Sequence, residues 1–349
     1  MQPTFDDVFT FPNLLYSAEQ CMKGVRWKHS TQSFEINMLS WCSNLYYQIH
    51  RGTYKSKGFT EFYIKERGKT RFIQSVHISE RVVQKTLAEY GLKPILIPSL
   101  IYDNGASLKG KGTDFAIKRF REHLRWRYAR YGLQGGILIG DFHDYFHSIN
   151  HKILLSMLRR KIEGDGVYKS AKYFIDCFKG DKGLGLGSEI SQICAIFYPN
   201  KIDHMIKEKF KIHGYGRYMD DFYIISEDIQ LLKNILIKIK EVSCELHLTL
   251  NDEKTIIYPF SHFPVFTFLK CRTNITNTGK IIMRNVPGNY KAKRHLIKKQ
   301  AKLINDGMID ENYALQSYKT WEQYALRRKQ SYKSVKNIRK FYKEATKHG

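Results

Sequence analysis

The sequence predicts an α+β fold, with an antiparallel sheet backed by helices and a basic helical module after it. Three observations carry this prediction. Apolar runs at Ile137-Leu138-Ile139 and Phe222-Tyr223-Ile224-Ile225 read as buried strands, the second preceded by the turn His213-Gly214-Tyr215-Gly216. Apolar residues at helical spacing lie between and after those runs. From Val286 onward 16 Lys and Arg stand against 5 Asp and Glu with Tyr and Trp interleaved, so this part reads as a separate helical unit that tracks a phosphate backbone.

Along the chain, Phe34, Met38, Trp41, Leu45 and Ile49 mark an amino-terminal helix that Arg51-Gly52-Thr53 stops. Alternation from Phe59 to Ile73 around Arg67-Gly68-Lys69 predicts a β-hairpin. Helices are expected at 81–90 and, after Gly110-Lys111-Gly112, at 113–131, where Ala116, Phe120 and Leu124 share a face. The strand ending at Asp141 follows, then a helix at about 151–161. Residues 188–210 read as helical, with Pro199 forcing a kink or a break. After the Asp220-Asp221 hairpin, Leu232, Ile235, Leu236, Ile239 and Val242 define an amphipathic helix capped by Ser226 or Asp228. A strand-and-turn stretch runs from Leu246 to Cys271. This order suits a sheet with helices on one face.

Composition narrows the partners. The 58 Lys and Arg exceed the 33 Asp and Glu by 25, which favours a polyanion, nucleic acid ahead of an anionic membrane surface. No apolar run reaches membrane-spanning length. The six cysteines are scattered without a Cys-x-x-Cys pair, which argues against zinc. The first residues do not read as a signal peptide, so reduced thiols and a cytoplasmic location are expected. Gly105 to Gly112 lacks the Gly-Lys-Ser/Thr of an ATPase loop, and His143, His147 and His151 lack partners at ligand spacing.

The chemistry centres on carboxylates. Asp220 and Asp221 at a hairpin tip repel one another and serve no core, but such pairs suit hard divalent cations. Asp141, at the end of a second strand, completes a trio, with Asp144 the next acid should Asp141 face away.

Seven motifs then fall in one order between Tyr63 and Cys271. They are Lys69-x-Arg71-x-Ile73, Arg81-Val82-Val83-Gln84, Asp141-x-x-x-Tyr145-Phe146, Gly187-Ser188-Glu189-Ile190-Ser191-Gln192, Tyr218-Met219-Asp220-Asp221, Asn251-x-x-Lys254-Thr255 and Phe268-Leu269-Lys270-Cys271. Together they resemble reverse transcriptases. The resemblance implies a right-hand polymerase: an amino-terminal helical extension at 1–50, fingers at 51–130, a palm at 131–272 with a fingers insertion near 155–190, and a basic helical thumb at 273–349. It implies RNA-directed DNA synthesis with two Mg²⁺ ions, or Mn²⁺ in their place, held by Asp141, Asp220 and Asp221. Lys254 would serve the leaving pyrophosphate. Lys69, Arg71, Phe146, Leu186 and Gln192 would bind the dNTP and nascent pair, with Phe146 excluding a ribose 2′-hydroxyl. Arg81, Lys109, Lys111, Lys270, Lys298 and Lys299 would contact nucleic acid.

Leu186-Gly187-x-x-x-Ser191-Gln192 resembles the diversity-generating retroelement enzymes, and phage-exclusion and defence enzymes often share the Ser-Gln ending. Leu186 cannot donate the hydrogen bonds of a glutamine, so relaxed base selection is expected, and a fidelity assay against Leu186→Gln tests it. Lys270-Cys271 departs from the common Gly-Tyr, which leaves the subgroup open. The expected partners are an RNA template and its DNA product, a dedicated noncoding RNA, and a basic accessory protein or second copy, with no membrane. A retroelement enzyme, an antiviral defence enzyme and a non-catalytic RNA-binding scaffold are the three alternatives. No RNase H, integrase or endonuclease domain of usual size is expected after the thumb.

Overall fold

Strand β3 (Gly136–Asp141) pairs antiparallel on one side with β5 (Asp221–Ser226) and on the other with β6 (Ile256–Pro259). Strand β4 (Gly214–Tyr218) joins β5 through a hairpin, so the central sheet has the order β4-β5-β3-β6. The structure is a computed structural model that describes residues 1–66, 69–327 and 331–346, with the side chains of Glu66, Lys69 and Arg71 outside that description.

Consecutive apolar residues in β3 and β5 have a simple cause, since both faces of the sheet are covered. Leu138, Phe222 and Ile224 enter a large core shared with the helices Phe11–Met22, Ile78–Thr86, Glu189–Phe197 and Ile229–Glu245. Ile137, Ile139, Tyr223 and Ile225 enter a second core with Phe120 and Leu124 of the Thr113–Tyr131 helix and with Phe266 and Phe268. The expectation of helices on one face is therefore corrected. The far face carries both a helix and a second sheet, β7 (Phe266–Phe268), β8 (Cys271–Ile275) and β9 (Ile281–Asn285), all antiparallel.

Several elements follow the expected pattern closely. The hairpin of β1 (Phe59–Glu66) with β2 (Lys69–Val76), the 113–131 helix and the Asp228-capped helix Ile229–Glu245 all form. Pro199 divides the 188–210 segment into Glu189–Phe197, Asn200–His204 and a wider turn at Met205–Lys209. The amino-terminal helix is interrupted at Asn37, giving His29–Ile36 and Met38–His50. The next helix starts at Ile78 rather than Arg81, because the His77 ring accepts the Ser79 N–H and caps it earlier. The sheet also continues past Cys271: the expected boundary at 273 falls inside β8, and the helical module begins at Pro287.

That module consists of Pro287–Asn305, Glu311–Leu326 and Tyr332–Thr346. Its aromatics divide between two uses. Tyr290, Tyr318, Trp321 and Tyr342 pack internally around Ile297 and Ile338, with Tyr318 and Tyr342 stacked at 4.2 Å. Tyr313 and Tyr332 remain exposed, as do Lys298 and Lys299.

A buried polar network ties the Thr113–Tyr131 helix to the sheet. His123, 1% exposed, accepts an Arg119 N–H at Nε2 (3.1 Å) and donates Nδ1–H to the Tyr223 hydroxyl (2.9 Å). Burial lowers its pKa to about 4 from 6.5; Asp103 opposes this, while Lys207, Arg119 and His213 add to it. The folded state thus resists a proton that the unfolded state accepts. Stability is complete above pH 6.5 and is lost as pH falls toward 4, by about 3 kcal/mol from this group. Urea unfolding should show the gap between wild type and His123→Asn narrowing from pH 7 to pH 4.5. A gap independent of pH would refute the assignment.

Candidate active site

The two acid-bearing strand ends meet because β3 and β5 run in a register that pairs Asp141 with Asp221. Residues so paired have Cβ atoms roughly 4.5–5.5 Å apart. Gly140 permits this closeness: the Phe222 ring lies across it, and a Cβ at 140 would sit 2.2 Å from the ring. A two-residue turn, Met219-Asp220, connects Tyr218 to Asp221, and Met219 takes a left-handed conformation with φ of 55°. The turn is tied back to β3, since the Phe142 N–H donates to the Asp220 carbonyl at 3.2 Å.

A third segment completes the cluster. The Asn251 N–H donates to the Asp141 carbonyl, and the His143 N–H donates to the Thr249 carbonyl, both at 2.8 Å. The turn closed by Asn251 then directs the Lys254 ammonium to Asp141 Oδ1 at 2.8 Å. Burial alone would lower the Lys254 pKa, but Asp141, Asp221 and Asp220 outweigh it and hold the group as a cation. Burial, reinforced by Asp220 and Asp141, pushes Asp221 up to about 7 despite Lys254. Three carboxylates around one ammonium carry excess negative charge, and short-stemmed oxygen donors suit hard divalent ions. Among the described residues no group of three or more His, Cys, Asp or Glu side chains adopts ligand geometry. The fit of a metal lies in the donor chemistry.

The remaining expected site residues lie on other segments of the chain. Phe146 lies half-buried in the short helical turn Tyr145–Ser148, which follows Asp144 in a left-handed conformation. The Asp144 carboxylate bonds the His147 ring at 2.7 Å. Leu186 is half-buried just before the Glu189–Phe197 helix, whose first turn the Ser188 hydroxyl caps. Gln192 is exposed and accepts the Ser107 hydroxyl at 3.1 Å. Arg81 is half-buried on the Ile78–Thr86 helix; its neighbour Glu80 is fully buried and accepts from Ser56 and Lys57. The Lys69 and Arg71 side chains lie outside the described residues.

One expected nucleic-acid contact, Lys111, is half-buried and bonded to the fold's own backbone. The Lys111 ammonium donates to the Tyr102 and Asn104 carbonyls at 2.5 and 3.2 Å and lies over the Tyr102 and Phe115 rings. These partners satisfy it within the fold, whereas Lys109 is exposed. Lys270 is exposed at the tip of the β7–β8 hairpin, where Leu269 and Lys270 both have positive φ, 47° and 58°.

Sequence reasoning missed a fully buried ion pair behind the hairpin, Arg217 with Asp203, 1% and 0% exposed. The available signal was a cation inside the otherwise buried strand Gly214-Tyr215-Gly216-Arg217.

No helix among the described residues is long and apolar enough to cross a membrane. No curated protein matches the chain. The family model described as reverse transcriptase (RNA-dependent DNA polymerase) matches residues 54–279. That span holds all three acids, Lys254 and the whole central sheet, so the chain belongs to the reverse transcriptase family, the RNA-directed DNA polymerases.

Proposed function

We propose that this polymerase copies a dedicated RNA into DNA for a bacterial or phage retroelement, acting in the cytoplasm. The observation that carries the mechanism is the pairing of Asp141 with Asp221 at one end of the central sheet, with Asp220 on the adjoining turn. Asp141 and Asp220 would hold both Mg²⁺ ions, and Asp221 would support the ion at the primer end. Bound there, the ions supply charge stabilisation to the attacking and leaving oxygens. The chain's own contribution is placement, with the 3′-oxygen, α-phosphate and pyrophosphate brought into line. Lys254, kept cationic by the acids, neutralises or protonates the pyrophosphate. Residues 51–130 serve as fingers, the stretch from 131 to the end of β9 as palm, and the basic helices from Pro287 as a thumb on the duplex.

The test is extension of a DNA primer on a defined RNA template with dNTPs and Mg²⁺. Full activity of Asp220→Asn would refute the reading. Sequencing the RNA that copurifies identifies the template, and DNA made without an added template favours the defence alternative. Phe146 sits beneath the sugar in this reading. Phe146→Ala should raise rNTP use relative to dNTP by about 10- to 100-fold, read as the ratio of kcat/KM values. An unchanged ratio removes Phe146 from sugar selection.

A further inference from the structure

The geometry points to Arg217 as a positioning residue that sets the spacing of the three acids through the end of the Glu189–Phe197 helix. The inference depends on the reading of Asp141, Asp220 and Asp221 as the acids of the reaction. Arg217 is fully buried, and its planar fork serves three partners. Nε and Nη2 donate to both Asp203 oxygens, Nη2 also donates to the Ile196 carbonyl at 2.7 Å, and Nη1 donates to the Met219 carbonyl at 3.0 Å. Met219 is the left-handed residue of the acid-bearing turn. Arg217 therefore fastens that turn to the carboxyl end of the helix.

The Asp141 segment reaches the same place. Tyr145, four residues after Asp141, is buried and donates its hydroxyl to the Ala195 carbonyl, the residue before Ile196. Two successive carbonyls at one helix end thus hold the two acid-bearing segments, one through Tyr145 and the other through Arg217. Asp203 aims the fork and is itself held by the Tyr215 hydroxyl at 2.5 Å. The Arg217 backbone is fixed as well, its N–H donating to the Asp103 carbonyl and its carbonyl accepting the Gly105 N–H. A point charge on a flexible stem cannot reproduce this arrangement, because lysine lacks the fork.

The assay uses the full chain with a defined RNA–DNA substrate. In Arg217→Met/Asp203→Leu/Tyr215→Phe, apolar groups replace the whole buried cluster, so no charge is orphaned. Misplacing reacting groups by about 1 Å can cost about 100-fold. The triple variant should keep its near-UV circular dichroism and lose about 30- to 100-fold in kcat. KM for dNTP should change less than about threefold, and the Mg²⁺ concentration for half-maximal rate should rise. Tyr145→Phe, which loses one hydroxyl, should lower kcat by about 5- to 10-fold with the same split.

A folded triple variant with kcat within threefold of wild type overturns the inference. If the triple variant does not fold, Arg217→Lys, which keeps the charge and loses the fork, takes its place, and a kcat within threefold of wild type then overturns the inference. Asp220→Asn is run alongside. Its inactivity beside an active triple variant refutes only the positioning role, whereas full activity of Asp220→Asn refutes the reading of the acids.

Discussion

Asp220→Asn and Asp141→Asn should each abolish DNA synthesis, lowering kcat by on the order of 10³-fold or more. The magnitude follows from charge stabilisation worth several kcal/mol, with each 1.36 kcal/mol equal to about a factor of ten. Asparagine preserves shape and removes charge, so the fold should survive. Stability should move the other way at Asp221. Its carboxylate is buried beside Asp220 and Asp141, and the loss of water, followed by the like charges, costs folding energy. In chelator, Asp221→Asn should melt above wild type. Added Mg²⁺ should raise the wild-type melting temperature and move that of the variant much less. Equal shifts in both proteins would exclude this acid from metal binding.

Asp203→Leu should be among the most destabilising single substitutions in the chain, at about 3–5 kcal/mol. It leaves the Arg217 guanidinium charged in a site with 1% exposure. Burial there opposes the charge, and Asp203 is the main group that offsets it, keeping the Arg217 pKa above its ordinary value. The Tyr215 hydroxyl loses its acceptor in the same substitution. Urea unfolding of Asp203→Leu beside the apolar triple variant separates the two costs. The triple variant should recover most of the loss, because an ion pair replaced whole costs far less than one broken. Equal destabilisation in both would mean that the cavity, and not the orphaned charge, dominates.

Much of the site is legible in one dimension. Adjacent carboxylates at a turn, a third acid at a strand end and Lys254 just after a short turn are local patterns, and each is found where the spacing puts it. The tertiary arrangement added what local pattern cannot express. Phe146 and Tyr145 are adjacent aromatics, yet one is half-buried while the other is buried and donates its hydroxyl to a helix end 50 residues away. Lys109 and Lys111 are alike in sequence, but only Lys111 lies within reach of two backbone carbonyls. The second sheet was read only as far as Cys271, because β8 and β9 are short and their inner face is recognisable only once Phe120 and Tyr223 are in place.

By itself the sequence determined the strand and helix periods, the basic charge and the order of the motifs, because these depend on composition, on position along the chain and on neighbours two to four residues apart. Only the tertiary structure decided that Asp141 and Asp221 are register partners, that both faces of the sheet are buried, and that Arg217 and Asp203 share a dry site. Those outcomes depend on contacts between distant segments, and desolvation gives such contacts their energy only when the whole core closes around them.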